Sequence, residues 1–153
     1  MLQKRKILLL GGTGAMGVYL APKLVDMGYQ VFVTSRKDRV AKIKNLHYIQ
    51  GNAHDLEFVQ NVLKGHYDAI VDFMVYTTEE FSRRYECLLE ATEHYLFLSS
   101  YRVYANNEGV PIKEDFPLST TNPYGATKHM IERILTDLYV SDNEWNITIL
   151  RLK

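Results

Sequence analysis

Cysteine occurs once in this chain, at Cys87, so an internal disulfide framework is excluded and a reducing compartment is the natural reading. Charge of one sign is also missing. The 18 basic and 18 acidic residues cancel to a formal net charge of zero, which removes the electrostatic case for a nucleic-acid partner. No apolar run approaches the roughly 20 residues that a membrane span requires. The start, MLQKRKILLLGG, has the basic opening of a secretory signal. Its apolar run from Ile7 to Leu10 is too short, however, and meets glycines rather than a small-residue cleavage site. The expected location is the cytoplasm. The five histidines, His47, His54, His66, His94 and His129, have no metal-ligand spacing, and no metal site is expected. Repeats and low-complexity segments are lacking as well, and 153 residues suit one domain with its own core.

What is present is alternation. Short apolar runs at 6–10, 30–34, 47–50, 69–75, 95–100 and 146–152 read as strands. Helical patterns lie between them, at about 16–27, 37–44, 55–64, 78–92 and 123–140. Near-continuous apolar strands, each followed by a helix, predict an α/β fold with a doubly wound parallel sheet. Start signals agree: Thr77 with Glu80 makes a capping box, Asp55 an N-cap, and Asn122–Pro123 an N-cap and first helical residue. The stretch 105–121 has no periodicity and the length of a functional loop.

The run LLLGGTGAMG sets Gly11, Gly14 and Gly17 three apart directly after the first strand, with Ala15 and Met16 between the last two. One glycine serves the tight turn, another lets backbone approach a pyrophosphate, and a third lets helix pack on strand. The helix N-terminus that follows offers free N–H groups and a partial positive charge to phosphates. Dinucleotide binding follows from that order of strand, glycines and helix. At the end of the second strand, where an acid would bond the ribose of NAD, the chain reads VFVTSRKDR. Ser35 and Arg36 there suit a 2′-phosphate, so NADP is expected, with NAD the alternative.

Taken with PYGATK at 123–128, the chain resembles the extended or atypical short-chain dehydrogenase/reductases, the NAD(P)-dependent epimerase/dehydratase family. The resemblance runs from Lys6 to Lys153 and covers the Rossmann, dinucleotide-binding part. It implies a catalytic set of Tyr124, Lys128 and Ser100, the serine standing in SSYRVYA four residues before Tyr104. It implies cofactor contacts at the glycine loop, at Asn52 and Ala53 of GNAHD, at Phe73 and Met74 of DFMVYTTEE, and at Lys128. Asn52 replaces the family's aspartate, and FMV replaces its small-residue turn. Tyr101 and Arg102 occupy the positions of the dehydratases' Asp-Glu pair, which disfavours dehydration. The family continues into a substrate-binding region beyond LRLK, so the chain reads as the N-terminal part of a longer one, catalytically silent alone.

The chemistry needs these residue types. A Tyr and a Lys four apart share one helix face. An ammonium about 6 Å from a phenol, at an effective dielectric of about 20, favours phenolate by roughly 2.8 kcal/mol. The tyrosine then takes a hydroxyl proton as hydride leaves carbon, and the serine donates to the developing carbonyl oxygen. The expected function is an NAD(P)-dependent epimerase or reductase acting on a nucleotide sugar or a related hydroxyl or carbonyl substrate. The alternative is a redox-sensing or RNA-associated binding protein without turnover. The resemblance also implies a homodimer through helices 78–92 and 123–140. Arg83–Arg84 reads as a solvated basic helix face, and Cys87 as core.

Overall fold

Lys6–Leu10 (β1) is apolar at consecutive positions because both of its faces are covered. In the computed structural model, which describes residues 5–105, 111–118, 121–141 and 144–153, Leu8, Leu9 and Leu10 have no exposure at all. Alternation along the strand sends Leu8 and Leu10 into a cluster with Val59, Phe81, Phe97 and Ile131. Ile7 and Leu9 go the other way, to Ala21, Val31 and Val33. Each such side chain contributes ~1.5–3 kcal/mol on burial, and this drives the two-layer cover of the sheet.

The sheet has six parallel strands in the order β3-β2-β1-β4-β5-β6. The remaining strands are Gln30–Ser35 (β2), Leu46–Gln50 (β3), Ala69–Asp72 (β4), Tyr95–Ser100 (β5) and Ile147–Leu152 (β6). The chain winds outward from β1 to β3, returns, and winds the other way from β4. The crevice at that reversal, outside the carboxyl ends of β1 and β4, is where such sheets bind ligands.

The helices are Gly17–Asp26 (α1), Leu56–Leu63 (α2), Thr78–Ser82 (α3), Tyr85–Glu90 (α4) and Pro123–Ser141 (α5). Their starts follow local chemistry. Asp55 accepts from the N–H groups of Glu57 and Phe58. Thr77 and Glu80 bond reciprocally across the first turn of α3. Asn122 Oδ1 accepts from Gly125 N–H ahead of α5. No helix among the described residues is long and apolar enough to cross a membrane.

Three expectations fail. The helix expected at 37–44 is irregular chain: Val40 is 84% exposed, so no apolar face is buried to support so short a helix. The strand expected at 69–75 stops at Asp72, whose Oδ1 accepts the Met74 N–H and turns the chain out of the sheet. The helix expected at 78–92 breaks into α3 and α4 at Arg83–Arg84, where Arg84 leaves helical geometry with φ −131. Of the loop expected at 105–121, residues 106–110 and 119–120 lie outside the described set.

Candidate active site

The three glycines divide the labour between them. Gly11 turns the chain with φ +74, and its N–H donates to Thr34 Oγ1 at 2.8 Å. A Cβ at Gly17 would stand 2.1 Å from the carbonyl oxygen of Gly12, so α1 packs on the loop backbone with no room for a side chain. A Cβ at Gly14 would meet nothing within 4 Å. Gly14 and Ala15 are exposed at the mouth of the crevice, and no side chain caps the first turn of α1. Bare backbone and an uncapped helix N-terminus suit an anion.

Beside the loop lies a cavity of about 460 Å³, walled by Gly11, Gly14, Arg36, Asn52, Ala53 and Met74 among others. Asn52, Ala53 and Met74 are therefore brought together with the glycine loop. Ser35 is not. It is buried, and its hydroxyl donates to Lys37 O at 2.7 Å and accepts the Lys37 N–H. No acidic side chain is among the described residues that line this cavity.

A second cavity, of about 490 Å³, shares Phe73 and Val75 with the first and reaches Met16, Ser100, Arg102, Tyr124 and Lys128. Tyr124 opens into it at 40% exposure, whereas Lys128, one turn on, is 3% exposed. Lys128 Nζ donates to Leu98 O at 2.7 Å and Met74 O at 3.2 Å, and stands 5.9 Å from the Tyr124 ring centroid. Burial lowers this amine to about 8, against the opposing charges of Asp72 and Glu132, so it remains mostly protonated at neutral pH. An ammonium has three donors, and two are used by these carbonyls. Ser100 closes β5, and its Oγ accepts the Arg102 N–H at 3.3 Å, which leaves the hydroxyl proton to give.

Two buried polar features were not among the expected site residues. Asp72, fully buried at the end of β4, accepts from Tyr95 Oη at 2.7 Å, Tyr76 Oη at 2.9 Å and Met74 N at 2.8 Å. Burial raises its carboxyl, with those hydrogen bonds and Lys128 pulling the other way. Met74 is thus held from both sides, its N–H by Asp72 and its carbonyl by Lys128. A lone acid in the apolar run AIVDFMV was the signal. The second feature is Arg84. Far from lying on a solvated face, it is 3% exposed, because its guanidinium turns inward to backbone carbonyls. Arg83 does stay exposed.

Sheet order, glycine loop and cavity define a doubly wound dinucleotide-binding fold. Residues 7–153 match the model of the NAD dependent epimerase/dehydratase family, and the chain belongs to that family. It is 34% identical over 174 residues to the UDP-glucose 4-epimerase of Bacillus subtilis, covering 95% of this chain and 51% of that protein. A shorter match, 59% identical over 56 residues, is to the UDP-glucose 4-epimerase of Dictyostelium discoideum, covering 37% of this chain and 16% of that protein. In fold it is similar to the UDP-Glc/GlcNAc 4-epimerase of Campylobacter jejuni, with TM-score 0.83 and 22% identity over 96% of this chain and 53% of the other. The chain spans about half the length of the relatives it matches along its whole extent.

Proposed function

We propose that the chain holds a nicotinamide dinucleotide across the two cavities, and that the protein epimerises a nucleotide sugar through a transient carbonyl. The observation that carries this is the buried Lys128 ammonium, fixed 5.9 Å from the Tyr124 ring in a cavity that shares the Phe73 and Val75 walls with the cavity of the glycine loop. The residues fit such a cofactor. Gly11, Gly14 and Ala15 offer it backbone at the mouth of the crevice, with Met16 and Gly17 opening the helix behind them; Asn52 and Ala53 give a wall, and Phe73 and Met74 an apolar floor. NADP is favoured over NAD, because Arg36 lines the cavity and no acid among the described lining residues would repel a 2′-phosphate. When bound, the dinucleotide supplies the site that accepts and returns hydride.

The chain's own residues handle the proton and the orientation. Tyr124 Oη takes the proton of the substrate hydroxyl and later gives it back. Lys128 stabilises the phenolate and has one N–H left for the cofactor ribose. Ser100 donates to the oxygen as it becomes a carbonyl. Phe73, Val75 and Leu98 give the cavity apolar walls beside the reacting carbon. The relatives' activity on UDP-glucose makes that sugar nucleotide the first substrate to try. In the full-length protein, Tyr124→Phe is expected to cut turnover by about 10²–10⁴-fold while leaving cofactor affinity in place. Undiminished turnover in that variant would refute the assignment.

A further inference from the structure

Arg84 joins α3 to α4 and points into the protein. Its Nε donates to Glu80 O at 3.0 Å, which is a local contact. Its other two contacts are distant in sequence: Nη1 donates to Ala53 O and Nη2 to His54 O, both at 2.9 Å. The guanidinium lies 4.7 Å from the Tyr76 ring centroid, and Tyr76 in turn donates to Asp72. No carboxylate among the described residues forms an ion pair with Arg84, so its buried charge is compensated by carbonyl dipoles and a ring face. Burying an unpaired guanidinium is costly, and here it is directed at one short loop.

That loop forms the polar wall of the nucleotide cavity. Asn52, Ala53 and His54 line it in succession. The loop's own backbone bonds are local: Asn52 Oδ1 accepts the His54 N–H and Asn52 O accepts the Asp55 N–H. The His54 ring reaches further, to Glu80 Oε1 at 3.3 Å, but as an exposed side-chain contact. The Arg84 fork is the buried tie that joins the loop's backbone carbonyls to the α3–α4 junction. We propose that Arg84 is a positioning residue for the nucleotide, fixing the Ala53 and His54 carbonyls so that Asn52 is held ready for the adenosine end. This rests on the dinucleotide reading above. A wall ordered before the ligand arrives spares the binding step its ordering entropy.

Calorimetric titration of Arg84→Met and Arg84→Lys with NADP and with ADP tests this, at a temperature where unfolding curves show each variant folded. Loss of the fork frees the backbone of at least one residue. The expected weakening is about tenfold for Arg84→Met. NADP and ADP weaken equally, because ADP lacks the nicotinamide half. Arg84→Lys keeps the charge and stem but not the fork. It shows a smaller, resolved loss and carries the test where Arg84→Met does not fold. A purely structural role would lower the unfolding midpoint and leave both dissociation constants at the wild-type value, and that result overturns the proposal. Wild-type protein that binds neither ligand overturns the dinucleotide reading itself.

Discussion

Adding one methyl group at Gly14 or at Gly17 separates the two jobs of the glycine loop. At Gly17 the new Cβ would lie 2.1 Å from Gly12 O, 2.5 Å from Gly12 C and 2.8 Å from Gly12 Cα. These are backbone atoms on the turn that leaves β1, so no side chain can swing aside. Reaching ordinary contact needs a separation of roughly an ångström more, which moves α1 off the sheet and opens the packing of Ala21 on Leu9 and Val33. Overpacking of this kind costs ~1–3 kcal/mol and at times more. For a chain of this size each kcal/mol lowers the midpoint by about 2–4 °C, so a fall of roughly 6–12 °C is expected at the upper value.

Gly14→Ala meets open space and should change stability by less than about 0.5–1 kcal/mol, in the stabilising direction if at all. Its methyl projects where the proposed pyrophosphate approaches the backbone, so NADP affinity should fall at least about tenfold, or 1.4 kcal/mol. Urea unfolding and calorimetric titration on both variants read the two effects separately. Unchanged affinity in Gly14→Ala would remove the phosphates from this strip, and wild-type stability in Gly17→Ala would refute the packing argument.

Three further outcomes are expected. Because the Lys128 amine is lowered from 10.5 to about 8 in the folded chain, its burial opposes folding below about pH 8 and stops doing so as pH rises toward 10.5. Wild-type stability should gain on the order of 3 kcal/mol over that window relative to Lys128→Met, and parallel urea profiles would contradict it. Arg36→Asp should shift the NADP/NAD affinity ratio toward NAD by roughly 10- to 150-fold, the value of one charge-assisted contact at about 1.5–3 kcal/mol. An unshifted ratio means Arg36 does not meet the 2′-phosphate. Two copies of the protein should pair through α3, α4 and α5, where Met130, Tyr139 and Val140 are exposed, and a monomer in sedimentation at high concentration would rule that out.

The parts of the fold that were legible are those decided within a few residues. Asp55, Thr77 and Asn122 cap their helices by bonds to N–H groups two or three positions on, and such chemistry reads directly from spacing. The inner strands β1, β2, β4 and β5 were legible because burial on both faces leaves little polar alternation, and the edge strands β3 and β6, which are only partly buried, because they are short apolar-rich runs between breaks. The segment 37–44 misled because Val40 and Ile43 stand at helical spacing with nothing to bury them. Arg84 misled for the converse reason: its partners Ala53 and His54 lie about thirty positions back and are backbone atoms, so no spacing rule reaches them. Ser35 and Arg36 show the same limit at neighbouring positions. Strand alternation sends one hydroxyl into a turn and leaves the next side chain at the cavity, and residue type alone does not say which.

Buried polar residues mark the site more sharply than any single motif. Thr34, Asp72, Ser99 and Ser100 are buried, and each stands in one of the last two positions of β2, β4 or β5. Upstream of them the same strands are apolar apart from Gln30, the first residue of β2. A buried polar group needs a partner, and three of these find theirs in the chain that leaves the sheet: Thr34 takes Gly11 N–H, Asp72 takes Met74 N–H and Ser100 takes Arg102 N–H, whereas Ser99 Oγ has none among the described residues. The polar strand ends therefore shape the loops. Those loops expose Gly14 on one side and Phe73 to Val75 on the other, with Lys128 reaching through from α5 to close the row. Replacing Asp72 by an apolar residue would leave Tyr76, Tyr95 and Met74 N–H without an acceptor and free the strip that both cavities share. The core and the crevice are thus one construction, in which the residues that end each strand also set the path along which a dinucleotide would lie.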